Sequence, residues 1–172
     1  MRSDRREWSE SERLAALERY RVLDTAREPE FDGIARLASL ACEAPIALVN
    51  FLTSDRQWFK AEVGAGRREA PLGMAFCAQA MLQPELLIVP DATRDPRFDG
   101  NPLVTEPPHV RFYAGALVRT PEGVPVGTVC VLDPKARHGL TLEQCEVLVL
   151  LAQQVRALLR CRLATNFPPE GL

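Results

Sequence analysis

The sequence predicts one α+β domain, an antiparallel sheet with helices on its faces, and three observations predict it. The 172 residues suit a single hydrophobic core, since two cores of half that size would each be undersized. Apolar residues recur at helical spacing near both ends and on successive or alternate residues through the middle. Short turns join the strand-like runs at both ends of the strand series, which makes neighbouring strands hairpins and the sheet antiparallel.

Ser9 followed by Glu12 fits a capping box, with Leu14, Leu17 and Val22 behind it, so a first helix is predicted over about 10–20. Leu23-Asp24-Thr25 ends it. Pro29 suits the first turn of a second helix, whose expected apolar stripe is Phe31, Ile34, Leu37, Ala38 and Ala41 and which Pro45 stops. Residues 46–52 and 57–63 read as a hairpin through the turn at 53–56. Loop follows over 64–73, then a short helix over 74–82, then a compact strand at 86–89 stopped by Pro90. Residues 91–108, rich in proline and aspartate, carry no clear periodicity and read as a long functional loop. Strands at 109–119 and 124–132, joined through Pro121-Glu122-Gly123, are expected at the sheet centre. Thr141 caps a last helix of about twenty residues, with Glu143 and Glu146 near its positive end and Arg156, Arg160 and Arg162 near its negative end.

Composition narrows the function. With 47% hydrophobic and 26% charged residues the chain is ordinary globular material, which argues against disordered and fibrous forms. Its 21 basic and 23 acidic residues are interspersed, so no basic face is written for a nucleic acid or an anionic membrane. No apolar run follows the charged N-terminus as in a signal peptide, and none is long enough to cross a bilayer, so a cytoplasmic protein without membrane insertion is expected. Five cysteines without a C-x-x-C pair point to reduced thiols rather than to a disulfide framework or a zinc knuckle. There is no P-loop, serine elbow or H-E-x-x-H motif, and His109 and His138 have no second metal ligand near them in sequence.

Several words in order carry a resemblance. They are Glu12-Arg13-Leu14-Ala15-Ala16-Leu17 through Leu23-Asp24-Thr25, Asp55-Arg56-Gln57-Trp58-Phe59-Lys60, and Ala75-Phe76-Cys77. They continue with the run from Val89-Pro90-Asp91 to Arg97-Phe98, Asn101-Pro102-Leu103-Val104, Arg111-Phe112-Tyr113-Ala114-Gly115-Ala116, and Gly127-Thr128-Val129-Cys130-Val131-Leu132-Asp133. Over about residues 12–160 the chain resembles a GAF domain, of the subtype that precedes bacterial sensor histidine kinases and diguanylate cyclases. The resemblance implies a central sheet of five or six antiparallel strands, with terminal helices on one face and a ligand pocket on the other. The expected organisation is an extension at 1–11, the GAF domain at 12–162 and a tail at 163–172. The implied role is non-enzymatic sensing of a small molecule, or regulatory contact, in bacterial signal transduction. Bilin-binding relatives often carry a Cys-His pair, whereas Ala78 follows Cys77 here, and the cyclic-nucleotide signature Asn-Lys-x-x-x-Phe-x-x-x-Asp-Glu is absent. The sequence identifies no cofactor.

The candidate ligand-binding residues are Phe59, Phe76, Cys77, Asp91, Asp95, Phe98, Arg111, Tyr113 and Cys130. Alternation along the strand puts Arg111 and Tyr113 on one face, opposite Val110, Phe112 and Ala114. Arg111 would hold an anionic group, or else pair with Asp91 or Asp95 to pin the long loop. Asp91, Asp95 and Asp99 lack the spacing of a calcium loop and suit turn capping. Trp58 and Phe59 lie on opposite faces. Cys77 and Cys130 are the thiols expected to look into the pocket, as buried packing or, in a thiol enzyme like the GAF-fold methionine sulfoxide reductases, as reactants. On the last helix Leu142, Cys145, Val149 and Ala152 form one stripe and Leu148, Leu151, Val155 and Leu158 a second. One stripe should cover the sheet. The other, taken as the second, would meet the domain's own N-terminal helix or the same helix of a homodimer. With residues 165–172 beyond that helix, the chain reads either as a truncated sensor or as a stand-alone GAF protein, which would signal through another chain such as a histidine kinase or diguanylate cyclase. The alternatives are an interaction module whose own Phe76, Phe98 and Phe112 fill the pocket, and the thiol enzyme.

Overall fold

The structure, a computed structural model, describes residues 8–74, 76–83 and 85–166. Residues 1–7 of the expected extension, 167–172 of the expected tail, and Ala75 within the expected 74–82 helix lie outside the described residues.

The chain opens with helix α1 (Glu10–Glu18) and helix α2 (Pro29–Cys42), followed by strands β1 (Ile46–Leu52) and β2 (Arg56–Val63). The Ser9 and Glu12 side chains cap α1 reciprocally, as a capping box does. Pro29 takes the first turn of α2, and Glu43, left-handed at φ 50°, closes it. Next come strand β3 (Glu69–Pro71), the single-turn helix α3 (Cys77–Ala80), strand β4 (Leu86–Val89), helix α4 (Pro102–Thr105), strands β5 (Phe112–Arg119) and β6 (Pro125–Asp133), and helix α5 (Leu142–Asn166).

The six strands form one antiparallel sheet in the order β3-β2-β1-β6-β5-β4. The α+β expectation and its strand number hold. Strand alternation divides the sheet into two faces. Ala47, Val49 and Phe51 of β1, with Phe112, Ala114 and Ala116 of β5 and Val129 and Val131 of β6, face α2 and α5 in one core. Leu48, Leu52, Phe59, Tyr113, Cys130 and Leu132 face the opposite way, toward α3 and α4. Opposite Val49 and Asn50 of β1 the register of β2 slips by one at Lys60, which brings Trp58 and Ala61 to the helix side and Phe59 to the other.

Several expectations are corrected. β3 lies in the stretch read as loop: three residues are too few to show a period, and pairing with β2 makes the strand. Leu72–Met74 form a 3-10 turn and α3 is shorter than the expected helix. The 91–108 segment contains 3-10 turns at Ala92–Arg94 and Pro96–Phe98 before α4, each started by a side-chain cap from Asp91, Asp95 or Asn101. The sheet centre is β1 with β6, so β5 lies one place nearer the edge than expected. On α2 the stripe turns over Phe31, Ile34, Ala35, Ala38 and Cys42, leaving Leu37 54% exposed.

The last helix departs further. α5 packs against α2, β5 and β6. Leu148, Leu151, Ala152, Val155 and Leu159 are buried in that contact, with Leu158 half-buried at its border. The residues named for a second copy, Leu148, Leu151 and Val155, therefore meet the chain's own α2 and sheet. The reason is geometric: a helix lying in the angle between a sheet and a second helix must bury a wider arc than one lying on a sheet alone. Leu142 and Leu150 take the outer side.

Candidate functional site

The pocket-side face of the sheet holds a cavity of about 330 Å³. Its floor is made by β1, β2, β5 and β6 through Leu48, Gln57, Phe59, Tyr113, Cys130 and Leu132. Phe76 and Cys77 at the start of α3 close one side, and Leu103, the Pro107-Pro108 pair and Val110 close another. The loop at 64–67 forms the remaining lip. Gly64 turns that loop at φ 73°, and any side chain there would run into the Pro45 carbonyl.

A polar cluster sits in this otherwise apolar floor. Asn50 and Thr128 face each other across β1 and β6, both fully buried. Thr128 Oγ1 donates to Asn50 Oδ1 at 2.8 Å, which leaves the Asn50 amide N–H₂ to reach Cys77 Sγ at 3.0 Å and Gln57 Oε1 at 3.4 Å. The Tyr113 hydroxyl donates to the same sulfur at 3.3 Å, and Thr128 Oγ1 lies 3.3 Å from it. Cys130 hydrogen-bonds it as well. Tyr113 reaches this position by leaning along β5 over Gly115, where a Cβ would overlap its hydroxyl.

The cluster reverses the usual effect of burial on a thiol. In the helix-side core, burial pushes the Cys42 thiol up to about 11. Cys77 is as thoroughly enclosed, yet its thiol is lowered, first by the hydrogen bond from Cys130 and then by those from Asn50, Thr128 and Tyr113. Cys130 goes the other way, raised by burial and then by its bond to Cys77.

A sequence model of the GAF domain matches residues 9–159. The chain belongs to the GAF family. A cyclic di-GMP phosphodiesterase of Pseudomonas aeruginosa is 37% identical over 165 residues, covering 95% of this chain. The chain spans 28% of that relative's length. Among solved structures, the GAF domain of an Acinetobacter phosphoenolpyruvate-protein phosphotransferase superposes with TM-score 0.63 at 15% identity, covering 92% of this chain and 97% of that one. The free methionine-R-sulfoxide reductase of Neisseria meningitidis, solved with its substrate, superposes with TM-score 0.61 at 15% identity, covering 92% of each chain. These two likenesses concern the fold.

Of the residues proposed from sequence, this GAF pocket brings together Phe59, Phe76, Cys77, Tyr113 and Cys130. Phe98 stands behind them, its ring stacked on Phe76 at 4.2 Å between centroids. Asp91 and Asp95 lie elsewhere, in a surface groove beside Arg137, where each caps a 3-10 turn. Arg111 also leaves the pocket: its guanidinium donates to the Val104 carbonyl at 2.9 Å and so pins α4. That anchors the 91–108 segment as the structural alternative required, through a backbone carbonyl rather than through Asp91 or Asp95. Val110 and Arg111 both precede β5, and it is Val110 that joins Tyr113 in the pocket-side core while Arg111 turns to the Val104 carbonyl. Asn50, Gln57 and Thr128 were not foreseen. The available signal was a polar residue inside the apolar run Ile46 to Leu52, but its partner lies 78 residues away.

Proposed function

We propose that this GAF domain is a non-enzymatic regulatory module of a bacterial signalling protein, sensing a small molecule in the cytoplasm and acting on a partner through its terminal helices. The cavity carries the proposal. Its volume is at the small end of ligand pockets, and its apolar walls surround a few convergent polar groups, the usual composition of a small-molecule site. The floor offers amide, hydroxyl and sulfur groups, and Arg67 supplies positive charge at the lip. Such a site suits a compact, largely uncharged molecule with a few hydrogen-bonding atoms. A cyclic dinucleotide is too large and too anionic for it, so any link to cyclic di-GMP, suggested by the 37% identical phosphodiesterase, would run through an output domain.

A route from pocket to helices supports the reading. Phe59 lines the cavity, and its neighbour Lys60 emerges on the other side of β2, fully buried. Lys60 Nζ pairs with Glu28 and donates to the Ala26 carbonyl, and Glu28 also binds Arg162 near the end of α5. A ligand that shifts β2 would be felt at α5, provided it binds the two arrangements unequally. The reading in which the chain's own rings fill the pocket draws on the Phe76–Phe98 stack, but Phe112 faces the helices.

Native mass spectrometry of the protein as purified from cells, repeated after denaturation, tests this. The expected result is a mass excess that disappears on denaturation and identifies the ligand by its mass. An apo mass, together with an unchanged melting temperature in deproteinised cell extract, would overturn it.

A further inference from the structure

We infer that the pocket is an oxidation site, in which Cys77 reacts with a small hydroperoxide and Cys130 resolves the product to an intramolecular disulfide. The inference deepens the sensing role proposed for this pocket. Three features carry it. Both cysteines belong to the lining of one cavity, where Cys77 is 2% exposed and Cys130 fully enclosed, so a molecule small enough to enter meets Cys77 first. Cys77 Sγ is surrounded by donors whose orientation is fixed: Thr128 occupies Asn50 Oδ1, which forces the amide N–H₂ toward the sulfur, and Tyr113 is free to give its hydroxyl proton because Gly115 makes room for it. A neutral thiol is a weak acceptor, and burying the Asn50 amide and the Tyr113 hydroxyl against one gives poor return. A thiolate is a strong acceptor and satisfies them. Finally, Cys130 lies on β6, against which α3 packs, so the resolving residue stands in the same lining as the attacking one.

The chemistry balances with the hydroperoxide as the oxidant. The Cys77 thiolate attacks one peroxide oxygen, an S–O bond forms, the O–O bond breaks, and the sulfur loses two electrons. The departing hydroxide takes the Cys130 thiol proton and leaves as water. The Cys130 thiolate then attacks the Cys77 sulfenic acid, an S–S bond forms, and a second hydroxide leaves. The other thiols lack this setting: Cys42 is buried in the helix-side core, and Cys145 and Cys161 lie on α5, outside the cavity. A cavity of about 330 Å³ admits hydrogen peroxide or a similarly small hydroperoxide.

The test uses the chain carrying Cys145→Ser and Cys161→Ser, treated with hydrogen peroxide and followed by intact mass and peptide mapping. The expected product is lighter by two hydrogens, with Cys77 linked to Cys130. In the further Cys130→Ser variant the reaction stops at a sulfenic acid on Cys77, trapped by dimedone. Tyr113→Phe, which keeps the ring, slows the oxidation roughly tenfold, the equivalent of one hydrogen bond. Thiols that remain reduced, oxidation of Cys42 in preference, or a rate unchanged in Tyr113→Phe would each overturn the inference. Its failure is separable from that of ligand sensing: a retained ligand over inert thiols overturns this inference alone, and reactive thiols in a pocket that retains nothing overturn ligand retention alone.

Discussion

A methyl group at position 115 would occupy the space of the Tyr113 hydroxyl, so Gly115 is a packing requirement of the pocket rather than a turn residue. Gly115→Ala is expected to lower stability by about 1–3 kcal/mol through overpacking, read as a shift in the urea midpoint with an unchanged slope. At this scale the sequence was partly legible. Tyr113 could be named because strand alternation and family resemblance both point at it, and Cys77 and Cys130 because they sit on the helix and strand that the resemblance places beside the pocket. Arg111 could not be placed, because alternation is a rule within regular strands and Arg111 lies just before β5. Asn50 and Thr128 were invisible as a pair, since each alone reads as an ordinary strand residue.

Among the elements, α5 shows how burial is apportioned. Leu148 is wholly enclosed between α2 and the sheet, while Leu150, two residues on, is 48% exposed. Leu148→Ala should therefore cost about 2–5 kcal/mol, and Leu150→Ala should stay within about 0.5 kcal/mol, by chemical denaturation. Equal costs would mean that a second copy covers the outer side. The start of α5 was read correctly, because its signal is local: Thr141 Oγ1 accepts from Gln144 N at 3.1 Å and the Gln144 side chain returns the bond at 3.0 Å. Thr141→Ala is expected to cost about 1 kcal/mol. The periods of β1, β2, β4, β5 and β6 were equally local, whereas β3 exists through its partner.

Over the whole molecule, charge ties the termini to the sheet. Glu28, between α1 and α2, is held below the ordinary glutamate range by the hydrogen bond from Lys60 and, secondarily, by Arg162. Asp24 is lowered by its bond to Arg56 and Asp95 by its bond to Arg97. A carboxylate with a depressed value in the fold stabilises fully above its unfolded value and loses that contribution as pH falls through the folded one. The contribution of these three carboxylates should thus be complete at neutral pH and be withdrawn below about pH 4. Because Glu28 joins β2 to α5, Glu28→Gln should flatten part of that fall, measured as urea midpoints across the acid range. An acid profile identical to that of the parent protein would remove Glu28 from the link between pocket strand and terminal helix.

What the sequence determined by itself was whatever depends on neighbours along the chain: the helix caps, the strand periods, the hairpins, and with them the α+β class and the GAF resemblance. What only the tertiary structure decided was whatever depends on neighbours across space. The hydrogen-bonded cluster around Cys77 draws on β1, β2, β5, β6 and α3, and the face of α5 that is buried depends on where α2 lies. Periodicity states which residues share a face, but the choice of what covers that face is made when the chain closes its core, and no local pattern encodes it.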